Sequence, residues 1–175
     1  MDRDAEIRDK QERVISFFRK KPSTAFSTNK ATGHLGKGLA CTVRQGEHEA
    51  LMDMNRVLGG DETGPTPGFF IRAGLIGCVA IGIKMTAVRE GIRIDALDVD
   101  VEMDFDDGAM LGLGSNTAAP LATRLTIKIE SPAPRVELEA MVARALAADP
   151  YFLALRDAQK VTAELVAGVE QGRGS

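Results

Sequence analysis

The sequence predicts an α+β fold, and three observations carry that prediction. Its elements are grouped as strands, a long helix, strands, a helix and a strand, rather than alternating strictly. One apolar segment of helical length stands between a loop rich in glycine and proline and a terminating glycine. Two later segments alternate apolar and polar residues with a period of two. The 175 residues are 44% hydrophobic and 27% charged, with a net charge of −3. A chain of this length and composition buries the core of one domain and is not a disordered polymer. It lacks the basic excess that phosphate binding needs, which argues against nucleic acid as a partner.

Residues 3–21 read as a charged amphipathic helix, with Ile7, Val14 and Phe18 at helical spacing, Ile15 and Phe17 flanking them, and Lys20-Lys21-Pro22 closing the segment. Residues 1–22 are therefore expected to be a helical extension, serving as a docking element, a dimer contact or a loose arm. A domain over residues 23–168 and a polar tail over 169–175 complete the expected organisation. Three short extended segments are expected at about 23–32, 38–45 and 48–54, with Gly33, Gly36, Gly38 and Gly46 as turns. The loop 57–67 follows. Thr66 fits an N-cap, Pro67 the first helical position, and the helix is expected to run to Glu90 with Gly91 as its C-cap.

In residues 92–106, Leu97, Val99, Val101, Met103 and Phe105 point one way, while Asp98, Asp100, Glu102, Asp104 and Asp106 point the other. A second strand at 123–131 turns Leu125, Ile127 and Ile129 inward, and the connection 107–121 between the two is rich in turns. A helix over 135–148, a break at Asp149-Pro150, a short helical turn at 151–156 and a last strand at 160–167 finish the reading. The helix from Pro67 is apolar round nearly its whole circumference, so it needs cover on all sides, and in so small a chain that cover is expected to include a second subunit. The N-terminus carries charges of both signs with no apolar core after it, so no signal peptide is expected. The longest apolar run, 69–83, is broken by Arg72 and is short for a membrane span. A cytoplasmic protein without a membrane partner, with Cys41 and Cys78 as free thiols, is the expectation.

The chemistry centres on Cys78. A lone thiol midway along an apolar helix is either packing or a reactive centre, and Gly74, Cys78 and Gly82 form a small-residue line that lets another backbone approach. Only the thiolate attacks, and apolar burial raises the thiol pKa. Cys78 lies ten residues past Gly68, about 15 Å along the axis, beyond the reach of its own helix dipole. Arg72 sits six residues earlier on a different face, so a cation from another element is needed. The acidic stripe from Asp98 to Asp106 reads as a solvated sheet face paired with Arg124 and Lys128 rather than an ion site. His34 and His48 lack metal-ligand spacing, so no metal is expected. Asp149 is either a helix breaker before proline or a general base or binding carboxylate.

Several motifs in order over residues 23–167 resemble the OsmC/Ohr family. They are the loop Gly59-Gly60-Asp61-Glu62-Thr63-Gly64-Pro65-Thr66-Pro67, the segment Ile76-Gly77-Cys78, the helix end Arg89-Glu90-Gly91-Ile92 and the turn Leu111-Gly112-Leu113. The resemblance implies an intertwined α+β homodimer, antiparallel sheets around a long central helix, and thiol-dependent reduction of organic hydroperoxides without a cofactor. It implies Cys78 as the attacking thiol and Arg44 as the cation that orients the peroxide, and the expected substrate-binding set beside them is Phe69, Phe70, Arg72, Leu75 and Asp149. The chain departs from the family pattern twice. Gly68 stands where the family has a glutamate, and Asp149 stands where it has a second cysteine. A one-cysteine peroxidase resolved by an external thiol, with Cys41 the sole internal alternative, is one expectation. A non-catalytic dimer that binds a small hydrophobic ligand at the subunit interface is the other.

Overall fold

In the computed structural model, which describes residues 2–166, the chain is organised round one helix, α2 (Pro67–Glu90). Pro67 opens it after Thr66, whose side chain makes no capping bond. Gly91 closes it in the left-handed region (φ 75°), its N–H bonding back to Ala87 and Val88. Leu75, Val79, Ile83 and Ala87 recur every four residues and form one buried row. That row packs on Met141 and Ala145 of α4 (Arg135–Leu146) and on Ile92. The inward residues of β4 (Ala96–Asp104) and β5 (Ala122–Glu130) close the same core. By length and composition alone α2 is able to cross a membrane, but α4, β4, α1 (Arg3–Lys20) and α5 (Pro150–Arg156) all pack against it, as round a core helix.

β4 and β5 pair antiparallel from Ala96↔Glu130 to Asp104↔Ala122, and each alternates half-buried with exposed residues. Their outer face is the expected ladder of charge. Arg124 bonds Glu102 (3.2 Å) and Asp104 (2.8 Å), and Lys128 bonds Asp100 (2.8 Å). Between the strands a one-turn helix, α3 (Asp107–Met110), is capped by Asp106.

The N-terminal strands differ from expectation. Residues 23–31 form no strand, because Pro22–Ala25 makes a 3-10 turn in which the Thr24 hydroxyl bonds Lys21 O (2.7 Å). The sheet is β1 (Thr32–Leu35), β2 (Cys41–Gln45) and β3 (His48–Met52), antiparallel in that order. Gly33 is a strand residue rather than a turn, and its missing side chain leaves room for the Cys41 Sγ, 3.4 Å from where a Cβ would stand. Gly46, at φ 58°, makes the tight β2–β3 hairpin. This sheet is not wrapped on α2; β1 is exposed throughout.

The loop from β3 to α2 is held by a residue that the sequence reading passed over. Asp53 is 2% exposed, and its carboxylate accepts bonds from Met54 N (2.7 Å), Asp61 N (3.2 Å), Thr63 N (3.0 Å) and Thr63 Oγ1 (2.8 Å). These bonds hold its pKa below the usual aspartate value. α1 docks on the far end of α2 through polar contacts. Arg8 Nε donates to Val88 O (2.7 Å), Lys84 pairs with Asp4 (2.8 Å), and Arg89 bonds Gln11 (2.6 Å). Within this chain the extension therefore lies docked on α2. The expected strand at 160–167 is absent over its described part, 160–166. The segment finds no sheet edge to pair with, and Leu165 is 92% exposed. Residues 167–175, the end of that strand and the expected tail, lie outside the described residues.

Candidate functional site

One residue round from the buried row of α2, the line Gly74, Cys78, Gly82 faces the start of α5. α4 ends at Leu146, and Asp149 N bonds back to Leu146 O (3.2 Å) before Pro150 starts the next helix. Asp149 is the N-cap of α5: its Oδ1 accepts from Tyr151 N (3.0 Å) and Phe152 N (2.8 Å). Those bonds fix the carboxylate, which is 3% exposed, and turn Oδ2 toward α2, 3.5 Å from where a Gly82 Cβ would stand. No N–H or O–H among the described residues reaches that buried oxygen. Of the two roles the sequence offers for Asp149, the structure shows the structural one, a break between α4 and α5 that caps the second helix.

Cys78 and Asp149 share the wall of a cavity of about 330 Å³, completed by Ile81, Gly82, Met85, Thr86, Ala145, Ala148 and Pro150. Burial pushes the Cys78 thiol up, the Asp149 carboxylate beside it pushes the same way, and the Tyr151 backbone N–H pulls it down. The cavity thus sets a thiol and one buried carboxylate oxygen on a largely apolar wall. That oxygen is the signal the sequence lacked. Cys78 and Asp149 stand 71 positions apart, and no motif spacing relates them.

The other expected site residues fall elsewhere within this chain. Phe70 and Leu75 line a second apolar cavity of about 280 Å³ with Ile71, Gly74, Tyr151, Ala154 and Leu155. Phe69 stands outside it, edge-on to Phe70 with ring centres 5.4 Å apart. Arg72 curls back over Gly68, Nη1 lying 3.4 Å from where a Cβ would be. Arg44 is on β2, bonded to Glu49 across the hairpin at 2.6 Å, and does not line the Cys78 cavity. Cys41 opens β2 between Leu35 and Met52, also away from that cavity. Among the described residues no three His, Cys, Asp or Glu side chains gather as a metal site.

Residues 59–164, more than half of the chain, match the family described as OsmC-like protein. The chain belongs to that family. The fold is similar to the OsmC-like protein of Mycoplasma pneumoniae, with a TM-score of 0.63 at 17% identity over 74% of this chain and 88% of that one. An organic hydroperoxide resistance protein, OsmC, from Legionella pneumophila aligns with a TM-score of 0.52 at 22% identity, over 75% of this chain and 90% of that one. The organic hydroperoxide resistance protein OhrB of Bacillus subtilis aligns at 0.50 and 20% identity, over 74% and 91%. No curated protein matches in sequence. At these identities the structural likeness extends to the fold alone.

Proposed function

We propose that this OsmC-like protein is a one-cysteine, thiol-dependent reductase of organic hydroperoxides, working as a cytoplasmic homodimer in defence against oxidative stress. The observation that carries the reading is the Cys78 thiol on the wall of an apolar cavity, midway along the central helix of an OsmC fold. The sulfur attacks the distal peroxide oxygen, and the resulting sulfenic acid is returned to the thiol by an external reductant, since position 149 is an aspartate and Cys41 lies in the small sheet. Ile81, Met85, Ala145 and Pro150 on the wall favour an alkyl or aryl hydroperoxide over hydrogen peroxide. The cavity is open on the exposed side of α2, where Ile81 is 62% exposed, and a second subunit would cover that face. Because no cation among the described residues lines the cavity, Arg44 would act from the second subunit.

A second reading is supported by the raised thiol pKa and by the apolar cavity at Phe70 and Leu75: a non-catalytic dimer that binds a small hydrophobic ligand. Intact-mass analysis after one equivalent of cumene hydroperoxide, on wild type and Cys78→Ser, separates the two. A Cys78-dependent gain of one oxygen is expected. An unmodified thiol in folded protein sinks the reductase and leaves the binding reading. A loss of two hydrogens within one chain would instead make Cys41 the resolving thiol.

A further inference from the structure

We propose that Asp149 is the proton carrier of the Cys78 site, taking the thiol proton through Oδ2 and giving it to the leaving alkoxide. The inference rests on the hydroperoxide reading and adds to it the group that makes a protonated thiol competent. Its basis is geometric. Oδ1 is committed to the two N–H groups that start α5. Oδ2 is buried, meets no N–H or O–H donor among the described residues, and shares the cavity wall with the Cys78 thiol. A buried carboxylate oxygen without a donor is unfavourable unless it receives a proton or a ligand's hydrogen bond. The thiol on the same wall and a hydroperoxide O–H entering the cavity are the donors within its reach.

Among the described residues, no other ionisable side chain lines the cavity. On the elements packed around it, Lys84 is held by Asp4, Arg89 by Gln11 and Thr86, and Arg144 by Glu90, while Tyr151 of α5 is 56% exposed. Proton traffic therefore runs between Cys78 and Asp149. As the sulfur attacks the distal oxygen of ROOH, the S–H proton moves to Oδ2, an S–O bond forms and the O–O bond breaks. The departing RO⁻ then takes the proton from Oδ2 and leaves as ROH. Sulfur ends as a sulfenic acid, oxidised by two electrons, and the hydroperoxide ends as an alcohol. The carboxylate that accepts the thiol's hydrogen bond, and so holds its proton on sulfur in the resting site, thus becomes the base that removes that proton when the peroxide arrives.

Two reactions of the same thiol test this, because iodoacetamide releases iodide and needs no proton delivered, whereas a hydroperoxide releases an alkoxide. The full-length protein is compared with Asp149→Asn and Asp149→Ser, since Asn and Ser both keep the N-cap of α5 and remove the carboxylate. Folding of each is checked by circular dichroism and Tm. In single turnover with cumene hydroperoxide, both variants are expected to gain oxygen about 100-fold more slowly than wild type at pH 7. Their rates should climb about tenfold per pH unit with the thiolate, while the wild-type rate stays nearly flat from about pH 6 to 8. Alkylation should move the opposite way, faster in the variants than in wild type. If both reactions speed up together, Asp149 only caps α5 and suppresses the thiol, and the proposal is wrong while the reductase stands. If wild type gains no oxygen, both the proposal and the reductase are overturned.

Discussion

A buried carboxylate and a missing side chain together fix the path of the chain into α2. Asp53 collects four hydrogen bonds in the loop, and Gly60 stands where any Cβ would be 1.9 Å from Met54 O. Gly60→Ala is expected to cost about 1–3 kcal/mol, because backbone rather than a flexible side chain must give way; urea unfolding measures it. Asp53→Ala leaves the amides of Asp61 and Thr63 without an acceptor. It should lower Tm and speed hydrogen exchange at those two amides, and unchanged exchange there would show that the loop holds itself. At Cys78 the folded-state pKa lies above the unfolded one, so the protonated thiol favours folding below the usual cysteine value and that contribution fades as pH rises through the folded value. With its own chain alone around it, Cys78 is expected to have an alkylation midpoint above about 8.5, which the proposed second-subunit Arg44 would bring down. A midpoint below that would mean that a cation, supplied by another subunit, reaches the sulfur. Cys78 was legible as the candidate from the sequence, since a thiol in an apolar helix stands out. Asp53 was not, because an aspartate beside a glycine-rich loop looks like any solvated turn until its burial is known.

Among the elements, α2 was read to the residue, from Pro67 at its start to Gly91 at its end, because both signals act within one turn of chain. Its seam with α4 holds the core. Ile83 is 0% exposed, and Ile83→Ala should cost about 2–5 kcal/mol by denaturant unfolding. α1 contributes no buried residue, yet Arg8 caps the carboxyl end of α2 through Val88 O. Arg8→Ala is therefore expected to lose about 1 kcal/mol, favourable charge at a helix C-terminus included; no loss would mean that α1 rests on α2 without holding it. The exposed N-terminal sheet and the segment at 160–166 were the weakest part of the sequence reading. Short strands depend on the partner edge they meet, and residues 160–166 meet none among the described residues.

For the whole molecule, the depressed carboxylates set an acid limit. Asp53, Glu90, Asp104 and Asp157 are held below their ordinary values by hydrogen bonds and neighbouring arginines, so their contribution is complete above the unfolded carboxylate range and is lost as pH falls through the folded values. The urea midpoint should hold from pH 7 to about 5 and fall below about 4. Phe69, Ile71, Ile81 and Met85 leave an apolar face of α2 uncovered, as the all-round apolarity of that helix foretold. Light scattering is expected to give twice the chain mass. A monomer at micromolar concentration would remove the proposed second-subunit role of Arg44.

By itself the sequence determined the α+β class, the ends and apolar rows of α2, the alternation of β4 and β5 and the identity of the candidate thiol, since each is written in neighbouring residues or a short period. Tertiary structure alone decided that Asp149 faces Cys78, that Arg8 caps α2 and that Asp53 gathers the loop. Each of these joins groups distant along the chain or is set by burial, and packing fixes both where spacing cannot.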